Sequence, residues 1–377
     1  MMGNLANLPP NAIKGVVAHS AFSRWFPTPG AISPSGAGVD ISDSSLKWLS
    51  LKTAAHGWEV DRHLEIPLEG GVVEGGVVRD EKRLGAAIAQ LHKEVGGGGF
   101  VHAALPEEVA YVFNMHVQDV HNREQVLNII EFELEGRVPL KANQAVYDYD
   151  IVEMHPDENG AEVGVTVFPK DVVEGYVNAF LYSGLRLLSL EIEARSIARS
   201  VVSKENEDVV LVADFGRART GIAILKRGIP IFTSTVSVGG DAMTRVIVEK
   251  LGVDEHAADT FKNENGIAPG GDAKVLEAMS GTAAALADEI TRHFQYWDTK
   301  RNEHGERVTP VEKVILCGGS SNLKGLPEYI AARVHANTER ANIWRNVCSF
   351  DNYIPPIEKH YSLGYATAVG LALRSAK

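Results

Sequence analysis

The sequence predicts an α/β protein with two or three folded units. From Val39 onward, segments of strand character alternate with segments of helical periodicity, and Gly, Ser or Asp residues separate them. At roughly 100–200 residues per domain, a chain of 377 residues accommodates two or three such units. Residues 1–36 are rich in Pro, Gly and Ser, and we expect them to form an irregular leader.

Composition and charge exclude several classes of function. Hydrophobic residues make up 45% of the chain, which is enough for an ordinary core. The net charge of -12 disfavours a general nucleic-acid binder, because such proteins neutralise phosphates with Lys and Arg. Cys317 and Cys348 belong to no CxxC pair or Cys/His cluster, so we expect no disulfide framework or zinc site. No apolar run reaches the roughly 18–20 residues of a membrane span and no signal peptide is apparent, so we expect a cytoplasmic protein.

Periodicity places the elements in order along the chain. Helices are predicted at residues 81–95, 123–136, 171–183, 193–201, 272–300, 323–334 and 361–374. Strands are predicted at residues 39–41, 47–51, 58–66, 146–152, 162–169, 209–213, 221–225 and 311–317. The acidic helix at 123–136 and the two strands after it predict a small inserted subdomain at about residues 107–170.

An internal repeat brings the first candidate chemistry. In each of two hairpins a buried strand ends at an aspartate, Asp40 or Asp214, and a turn of small or hydroxyl residues leads to a second strand. Leu51 and Leu225 lie at the same offset from these aspartates. If the hairpins face each other across a cleft, their turn N–H groups would point at phosphate oxygens and the aspartates would hold the waters of Mg²⁺. Either hairpin alone is equally typical of a plain turn.

A third element is a strand that ends at Gly318 and Gly319 and continues into a helix. Glycines let the backbone approach a ligand closely, and a helix N-terminus offers free N–H groups. We expect Ser320, Ser321 or Asn322 to cap that helix. This pattern also occurs in sheet proteins without ligands. The predicted helices at 193–201 and 361–374 are rich in small residues, which allows close helix crossing.

The order of these five pieces resembles the signature of the actin, sugar-kinase and heat-shock-70 superfamily. It implies an actin-like (ribonuclease H-like) α/β fold whose two lobes clamp ATP and Mg²⁺ between them. Within the superfamily, roughly residues 38–374 resemble the PilM family of actin-like type IV pilus assembly proteins. The stretches that carry this resemblance are residues 76–80, 104–106, 131–139, 184–186, 292–297 and 370–374. The insert resembles the relocated small subdomain of FtsA and PilM, but we expect no counterpart of FtsA's C-terminal linker and membrane-binding helix.

The resemblance divides the chain into lobes. Its expected units are a leader at 1–36, the first half of lobe 1 at 37–106, a partner-binding insert at 107–170, the return to lobe 1 with the first connecting helix at 171–205, lobe 2 at 206–360 and the second connecting helix at 361–377. A nucleotide-pocket subdomain is expected within lobe 2, at about residues 240–305.

The resemblance also implies site residues. Asp40 and Asp214 would hold Mg²⁺ through water, and with Glu193 they are the candidate catalytic residues. Residues 258–262 are similar to an Ala-Glu-x-x-Lys element that lines the nucleoside pocket, with Asp in place of Glu. The candidate nucleotide-binding residues are Ser42, Ser44, Ser45, Lys47, Gly216, Arg217, Thr220, Gly239, Gly240, Asp259, Lys262, Gly318, Gly319, Ser320 and Asn322.

Two departures from the family pattern lie in the first turn. Ser42 stands where Gly is usual, and Asp43 puts a carboxylate beside the expected phosphates. Both changes are expected to weaken nucleotide binding or to make it more dependent on Mg²⁺. Arg217 and Arg219 of the second turn are candidates to offset this charge, although arginines on turns are often simply solvated.

The implied function is a cytoplasmic ATP-binding scaffold of the type IV pilus inner-membrane platform. Its insert would dock the cytoplasmic N-terminal tail of a PilN-like membrane protein, and other platform and motor proteins are further possible partners. No clear catalytic base is evident, so we expect at most a slow ATPase; Glu191 and Glu193 either orient water or are exposed helix-start carboxylates. The alternative is an FtsA-like cell-division or filament-forming ATPase.

Overall fold

Two five-stranded sheets with the same topology form the framework of the protein. The structure is a computed structural model and describes residues 35–118, 122–155, 160–302 and 305–375. All but the last two residues of the predicted leader therefore lie outside the described residues. In the described segments the strands are β1 (Ala37–Ile41), β2 (Ser45–Ala54), β3 (Gly57–Pro67), β4 (Val73–Glu74), β5 (Val77–Val78), β6 (Phe100–Leu105), β7 (Tyr111–Gln118), β8 (Ala145–His155), β9 (Gly160–Pro169), β10 (Arg186–Ile192), β11 (Val209–Phe215), β12 (Thr220–Lys226), β13 (Ile229–Val236), β14 (Val311–Cys317) and β15 (Asn337–Arg340).

Helices flank these sheets. In chain order the described α-helices are α1 (Glu81–Val95), α2 (Arg123–Arg137), α3 (Lys170–Ser183), α4 (Glu193–Val201), α5 (Gly240–Leu251), α6 (Glu255–Asn265), α7 (Ala273–Thr299), α8 (Leu326–Val334), α9 (Lys359–Ser362) and α10 (Ala366–Ala372). Within the described segments, none of the helices combines the length and the apolar character that a bilayer span requires.

The two hairpins of the sequence repeat belong to two sheets that have the same topology. Lobe 1 has the strand order β10-β6-β1-β2-β3, and lobe 2 has the equivalent order β15-β14-β11-β12-β13. In both sheets the first three strands along the chain are antiparallel neighbours, and the remaining two run parallel to the first. The registers agree as well: Asp40 pairs with Lys47, and Asp214 pairs with Gly221, seven residues on in each case. The equal leucine offsets in the sequence reflect this shared register.

The predicted long helices are confirmed, and their caps explain their bounds. The side chain of Asp80 accepts a hydrogen bond from the N–H of Arg83 at the start of α1, and Asp272 accepts two such bonds at the start of α7. Leu84, Ile88 and Leu91 of α1 are fully buried against the lobe 1 sheet, as their spacing on one helix face predicts.

The insert has a hydrophobic core of its own. Its three strands pair in the order β7-β9-β8, all antiparallel. Helix α2 lies on one face of this sheet and buries Val126, Ile130 and Leu134 against it. The sequence prediction of one helix and several strands in this region is therefore confirmed.

Two predicted helices are shorter than expected. The helix predicted at 323–334 begins only at Leu326, because Gly325 has a φ of 79° and cannot be part of a right-handed helix. The helix predicted at 361–374 is interrupted: a 3₁₀ turn at Leu363–Tyr365 separates α9 from α10. Helices α4 and α10 cross between the two sheets, and their small residues lie in a core shared with strands of both lobes.

Candidate functional site

The first turn connects β1 and β2 and lies at the carboxyl end of β1. Asp40, at this end, is buried and has Lys47 Nζ 3.5 Å from its Oδ2. Lys47 also donates to Ser45 Oγ over 3.3 Å. The hydroxyl of Ser42 closes the turn, because it accepts from the N–H of Ser45 and donates to the carbonyl of the same residue. Ser42 has no positive φ, so the turn does not require the glycine that is usual there.

The second turn connects β11 and β12 and holds three other predicted residues together. The N–H of Gly216 donates to the carbonyl of Arg219, which closes the turn. The carbonyl of Gly216 accepts from Ser320 Oγ over 2.9 Å and from the N–H of Gly240 over 3.0 Å. Gly239 lies so close to the backbone of residues 217–219 that a Cβ there would overlap it. The second turn, the start of α5 and the double-glycine turn therefore form one cradle.

The double-glycine turn closes the base of this cradle. Gly318 has a φ of 84°, and a Cβ there would overlap the carboxylate of Asp214. A Cβ on Gly319 would meet no protein atom within 4 Å, so the backbone there borders open space. A Cβ on Gly364 would lie 3.9 Å from both Gly319 Cα and Lys47 Cε, so the glycine turn faces Lys47 of lobe 1.

The predicted cap at this turn is wrong. Ser320, Ser321 and Asn322 form a 3₁₀ turn, and Gly325 occupies the N-cap position of α8. Ser321 is fully buried and its hydroxyl donates to the carbonyl of Cys317. The glycine turn therefore presents its own backbone to the cleft rather than a helix N-terminus.

A group of acidic side chains lies where the two lobes meet. Burial, and then the nearby carboxylates of Glu107 and Asp40, raise the pKa of Asp214 to about 7 against the opposing effect of Lys47. Burial also raises the pKa of Asp40, against the opposing attraction of Lys47. The thiol of Cys317 is hydrogen-bonded to Asp214. Buried carboxylates this close together make the cleft favourable for a cation.

Glu107 is a site residue that the sequence analysis missed. It lies in a 3₁₀ turn directly after β6, is buried, and is hydrogen-bonded to Glu193 at the start of α4. Burial first and then Glu107 raise the pKa of Glu193 well above its ordinary value. Since β6 is parallel to β1, its carboxyl end lies at the same sheet edge as Asp40. The strand-end position was the sequence signal that could have identified Glu107.

The expectation that Glu191 and Glu193 are exposed helix-start carboxylates is wrong. Glu191 is buried and bridges Arg199, at 2.6 Å, and Arg374. Burial raises its pKa, but the two arginines outweigh this effect and hold the pKa below its usual value. Glu191 therefore ties β10 to α4 and to the end of the chain, and only Glu193 faces the cleft.

Asp43 and Arg219 join the two turns across the cleft. Arg219 Nη1 lies 2.8 Å from Asp43 Oδ2, and Nη2 lies 3.2 Å from Oδ1. The same guanidinium lies 2.5 Å from Glu108 Oε1. Asp43 also accepts hydrogen bonds from the N–H groups of Gly75 and Gly76. Of the two arginines considered for offsetting Asp43, Arg219 does so, whereas Arg217 points outward and pairs with Asp241.

Lys262 and Asp259 form a second polar group in lobe 2. Lys262 is buried, and its Nζ donates to Asp259 Oδ1 over 2.5 Å and to Thr244 Oγ1 over 2.9 Å. A Cβ on Gly240 would lie 3.7 Å from Lys262 Nζ. Lys262 thus lies behind the same cradle as Gly240 and Ser320.

The remaining predicted residues take part in the turns through their side chains or their position. Thr220 is fully buried, and its hydroxyl donates to the carbonyl of Val238 over 2.6 Å. The side-chain amide of Asn322 donates to the carbonyls of Gly319 and His360. Ser44 is part of the first turn beside Asp43. These three residues shape the turns around the cleft.

The arrangement fits a nucleotide with a divalent cation. The double-glycine turn brings backbone to the edge of open space at Gly319, as phosphate binding requires. Asp40 and Asp214 offer the oxygen ligands that Mg²⁺ prefers. Burial disfavours their charged forms, so a nearby cation would stabilise them. Lys47 supplies a fixed cation beside Asp40, and Lys262 supplies another behind the cradle.

Comparison with known proteins identifies a family and a fold. A family model described as type IV pilus assembly protein PilM matches residues 38–376. Comparison with curated protein sequences gives no match.

Several solved structures are similar to this chain, and they include the following three. One belongs to a PilM–PilN type IV pilus biogenesis complex; it has a TM-score of 0.76 and 20% identity, and the match covers 92% of this chain and 99% of that chain. The ethanolamine utilization protein EutJ from Carboxydothermus hydrogenoformans has a TM-score of 0.52 at 14% identity, with 90% and 89% covered. MreB5 of Spiroplasma citri bound to AMPPNP has a TM-score of 0.52 at 10% identity, with 89% and 95% covered. The predicted actin-like two-lobed fold is confirmed.

Proposed function

The chain belongs to the type IV pilus assembly protein PilM family, and from this premise we propose that it is an ATP-binding scaffold of the pilus assembly platform. The observation that carries the nucleotide assignment is the meeting of both aspartate-led turns and the double-glycine turn at one cleft. Asp40 and Asp214 end equivalent strands of the two sheets, so each lobe contributes half of the site. A ligand between them holds the lobes together.

Each part of the cleft has a role toward ATP. The backbone at Gly319, which borders open space beside the cradle of Gly216 and Gly240, faces the phosphates, and Lys262 lies at the nucleoside end. Asp40 and Asp214 hold Mg²⁺ through its waters. The ion, when bound, neutralises phosphate charge that these carboxylates would otherwise repel.

The partner role belongs to the insert. A structure similar to this chain is named as a PilM–PilN complex, and we infer that here too a PilN-like protein contributes a cytoplasmic tail. The side of α2 opposite its buried face exposes Phe132 at 87%, and Ile129 is also partly exposed. Two glutamates of this helix have internal partners: Glu131 accepts from Tyr147, and Glu133 lies 3.6 Å from Arg137. The surface thus offers an apolar contact within an acidic surround, which suits a tail with apolar and basic residues.

Such a docking makes the protein peripheral to the inner membrane, on its cytoplasmic side, through its partner. Further platform or motor proteins complete the assembly. Family membership favours this scaffold over an FtsA-like division or filament-forming ATPase.

We also infer that ATP turnover is slow. Glu193, the candidate base, is buried and hydrogen-bonded to Glu107, and both effects raise its pKa. A raised pKa favours the protonated carboxyl, which cannot accept a proton from water. Turnover at a typical enzyme rate of about 10 per second, lost in Asp40→Ala, would contradict this inference.

Calorimetry with Mg-ATP tests the nucleotide site. We expect the wild type to bind and both Asp214→Ala and Gly319→Val to lose most of the affinity. A side chain at Gly319 meets no protein atom, so Gly319→Val should fold and only fill the space beside the cradle. Wild-type affinity in both variants would refute the assignment.

A further inference from the structure

We propose that the Asp43–Arg219 pair selects which nucleotide the cleft holds: a diphosphate binds with the pair intact, whereas a triphosphate must break it. This inference rests on the proposed nucleotide function and concerns the same site. The proposal is based on Asp43, a carboxylate in the first turn. Asp43 already accepts two hydrogen bonds from the guanidinium of Arg219, which reaches across the cleft from the second turn.

The direction of the nucleotide follows from the two ends of the cleft. Lys262 lies in lobe 2 behind Gly240 and Ser320, and the second turn joins them through the carbonyl of Gly216. Contacts lead from Lys262 to Gly240, from Gly240 to the second turn, and from Arg219 of that turn to Asp43 in lobe 1. A nucleotide whose base lies near Lys262 therefore brings its last phosphate nearest to Asp43.

A third phosphate would lie beside two carboxylates that share one arginine. Arg219 is the cation of the second turn that reaches this place, and it is shared by Asp43 and Glu108. Both carboxylates are held on the guanidinium, and Asp43 is fixed further by the N–H groups of Gly75 and Gly76. A terminal phosphate placed beside them adds charge of the same sign, and like charges in contact are strongly unfavourable.

Removal of the Asp43 charge reverses the preference. In Asp43→Asn, Arg219 loses its bidentate carboxylate partner and becomes available to the third phosphate, while the turn keeps a side chain of the same size. We expect the affinity for Mg-ATP to rise by about tenfold or more and the affinity for Mg-ADP to change by less than about threefold. Asp43→Asn with Arg219→Gln should lose the gain for ATP, because the gain requires the freed guanidinium.

The experiment is isothermal calorimetry of the full chain with Mg-ATP and with Mg-ADP, on the wild type and both variants. Asp150→Asn is the matched control, since Asp150 makes a similar two-point ion pair with Arg195 away from the cleft. Thermal melting of each protein establishes that it is folded.

Three outcomes are distinguishable. A rise for ATP alone in Asp43→Asn, absent from the control and abolished by the second substitution, supports the proposal. Parallel changes for both nucleotides, or no change, overturn it and leave the nucleotide site intact. Absence of binding of either nucleotide to folded wild type and folded variants overturns the proposed function and, with it, this inference.

Discussion

Gly370 of α10 lies directly on the carbonyl oxygen of Ser196 of α4, where the two connecting helices cross. A Cβ on Gly370 would overlap that oxygen. The carbonyl of Gly370 in turn accepts from Arg199 Nη1 over 2.7 Å. Because these helices lie between the sheets of both lobes, this contact sets how closely the lobes approach each other.

We therefore predict that Gly370→Ala destabilises the protein. The overlap with backbone cannot be relieved by rotation of a side chain, so the helices must separate, at a cost of about 3 kcal/mol or more. Thermal melting measures the effect. Gly281→Ala in α7 is the matched control: a Cβ there meets nothing within 4 Å, and the exchange should stabilise the helix by about 0.5–1 kcal/mol. Equal melting temperatures for the two variants would contradict this account of the crossing.

Asp214→Asn should stabilise the nucleotide-free protein in a pH-dependent way. The folded pKa of Asp214 is about 7, above its ordinary value of 3.8, so the folded state binds more protons than the unfolded state between these values. The carboxylate therefore destabilises the fold increasingly as pH rises from about 4 to 7, and fully above pH 7. We expect the variant to melt a few degrees higher at pH 8 and the difference to shrink toward pH 4.

The control for this prediction is Asp241→Asn, because Asp241 is an exposed residue paired with Arg217. A gain in melting temperature that is independent of pH, or equal in both variants, would show that burial of the Asp214 charge is not its cause.

Lys262→Met should lower the affinity for ATP by about tenfold or more, because it removes the buried cation behind the cradle. Its partners Thr244 and Asp259 then lose their donor. Lys250→Met is the control, since Lys250 lies on the surface of α5 and donates to the carbonyl of Glu277. Fluorescence titration with a labelled ATP measures both. Unchanged affinity in folded Lys262→Met would limit Lys262 to a structural role.

Phe132→Glu should weaken binding of the membrane partner's tail without destabilising the fold. The side chain is 87% exposed, so the change costs little in the free protein. Ile354→Glu provides the comparison, because Ile354 is 81% exposed but lies outside the insert. In a pull-down with the tail peptide, we expect the Phe132→Glu variant to be lost and the Ile354→Glu variant to be recovered with the peptide. Loss of both, or of neither, would move the docking surface away from α2.

The sequence alone determined the local elements and their order. Hydrophobic period and capping residues act within a few residues, so α1 was predicted with its observed bounds and α7 within one residue at each end. The equal spacing of the two hairpins in the sequence agrees with their common register in the structure, since register follows from the turn length within each hairpin. The broken helix before α10 and the late start of α8 were missed, because tertiary contacts and one positive φ at Gly325 decide them.

Only the tertiary structure decided which charges meet. Asp43 and Arg219 are 176 positions apart, and Glu107 and Glu193 are also distant in sequence, so no local pattern pairs them. The sequence also does not show that the two arginines of the second turn have different partners. Arg219 reaches across the cleft, whereas Arg217 pairs with Asp241. These pairings depend on how two sheets are set against each other by the α4–α10 crossing. Burial at that junction then shifts the pKa values of the carboxyl groups, which is a property of the assembled cleft and of no single segment.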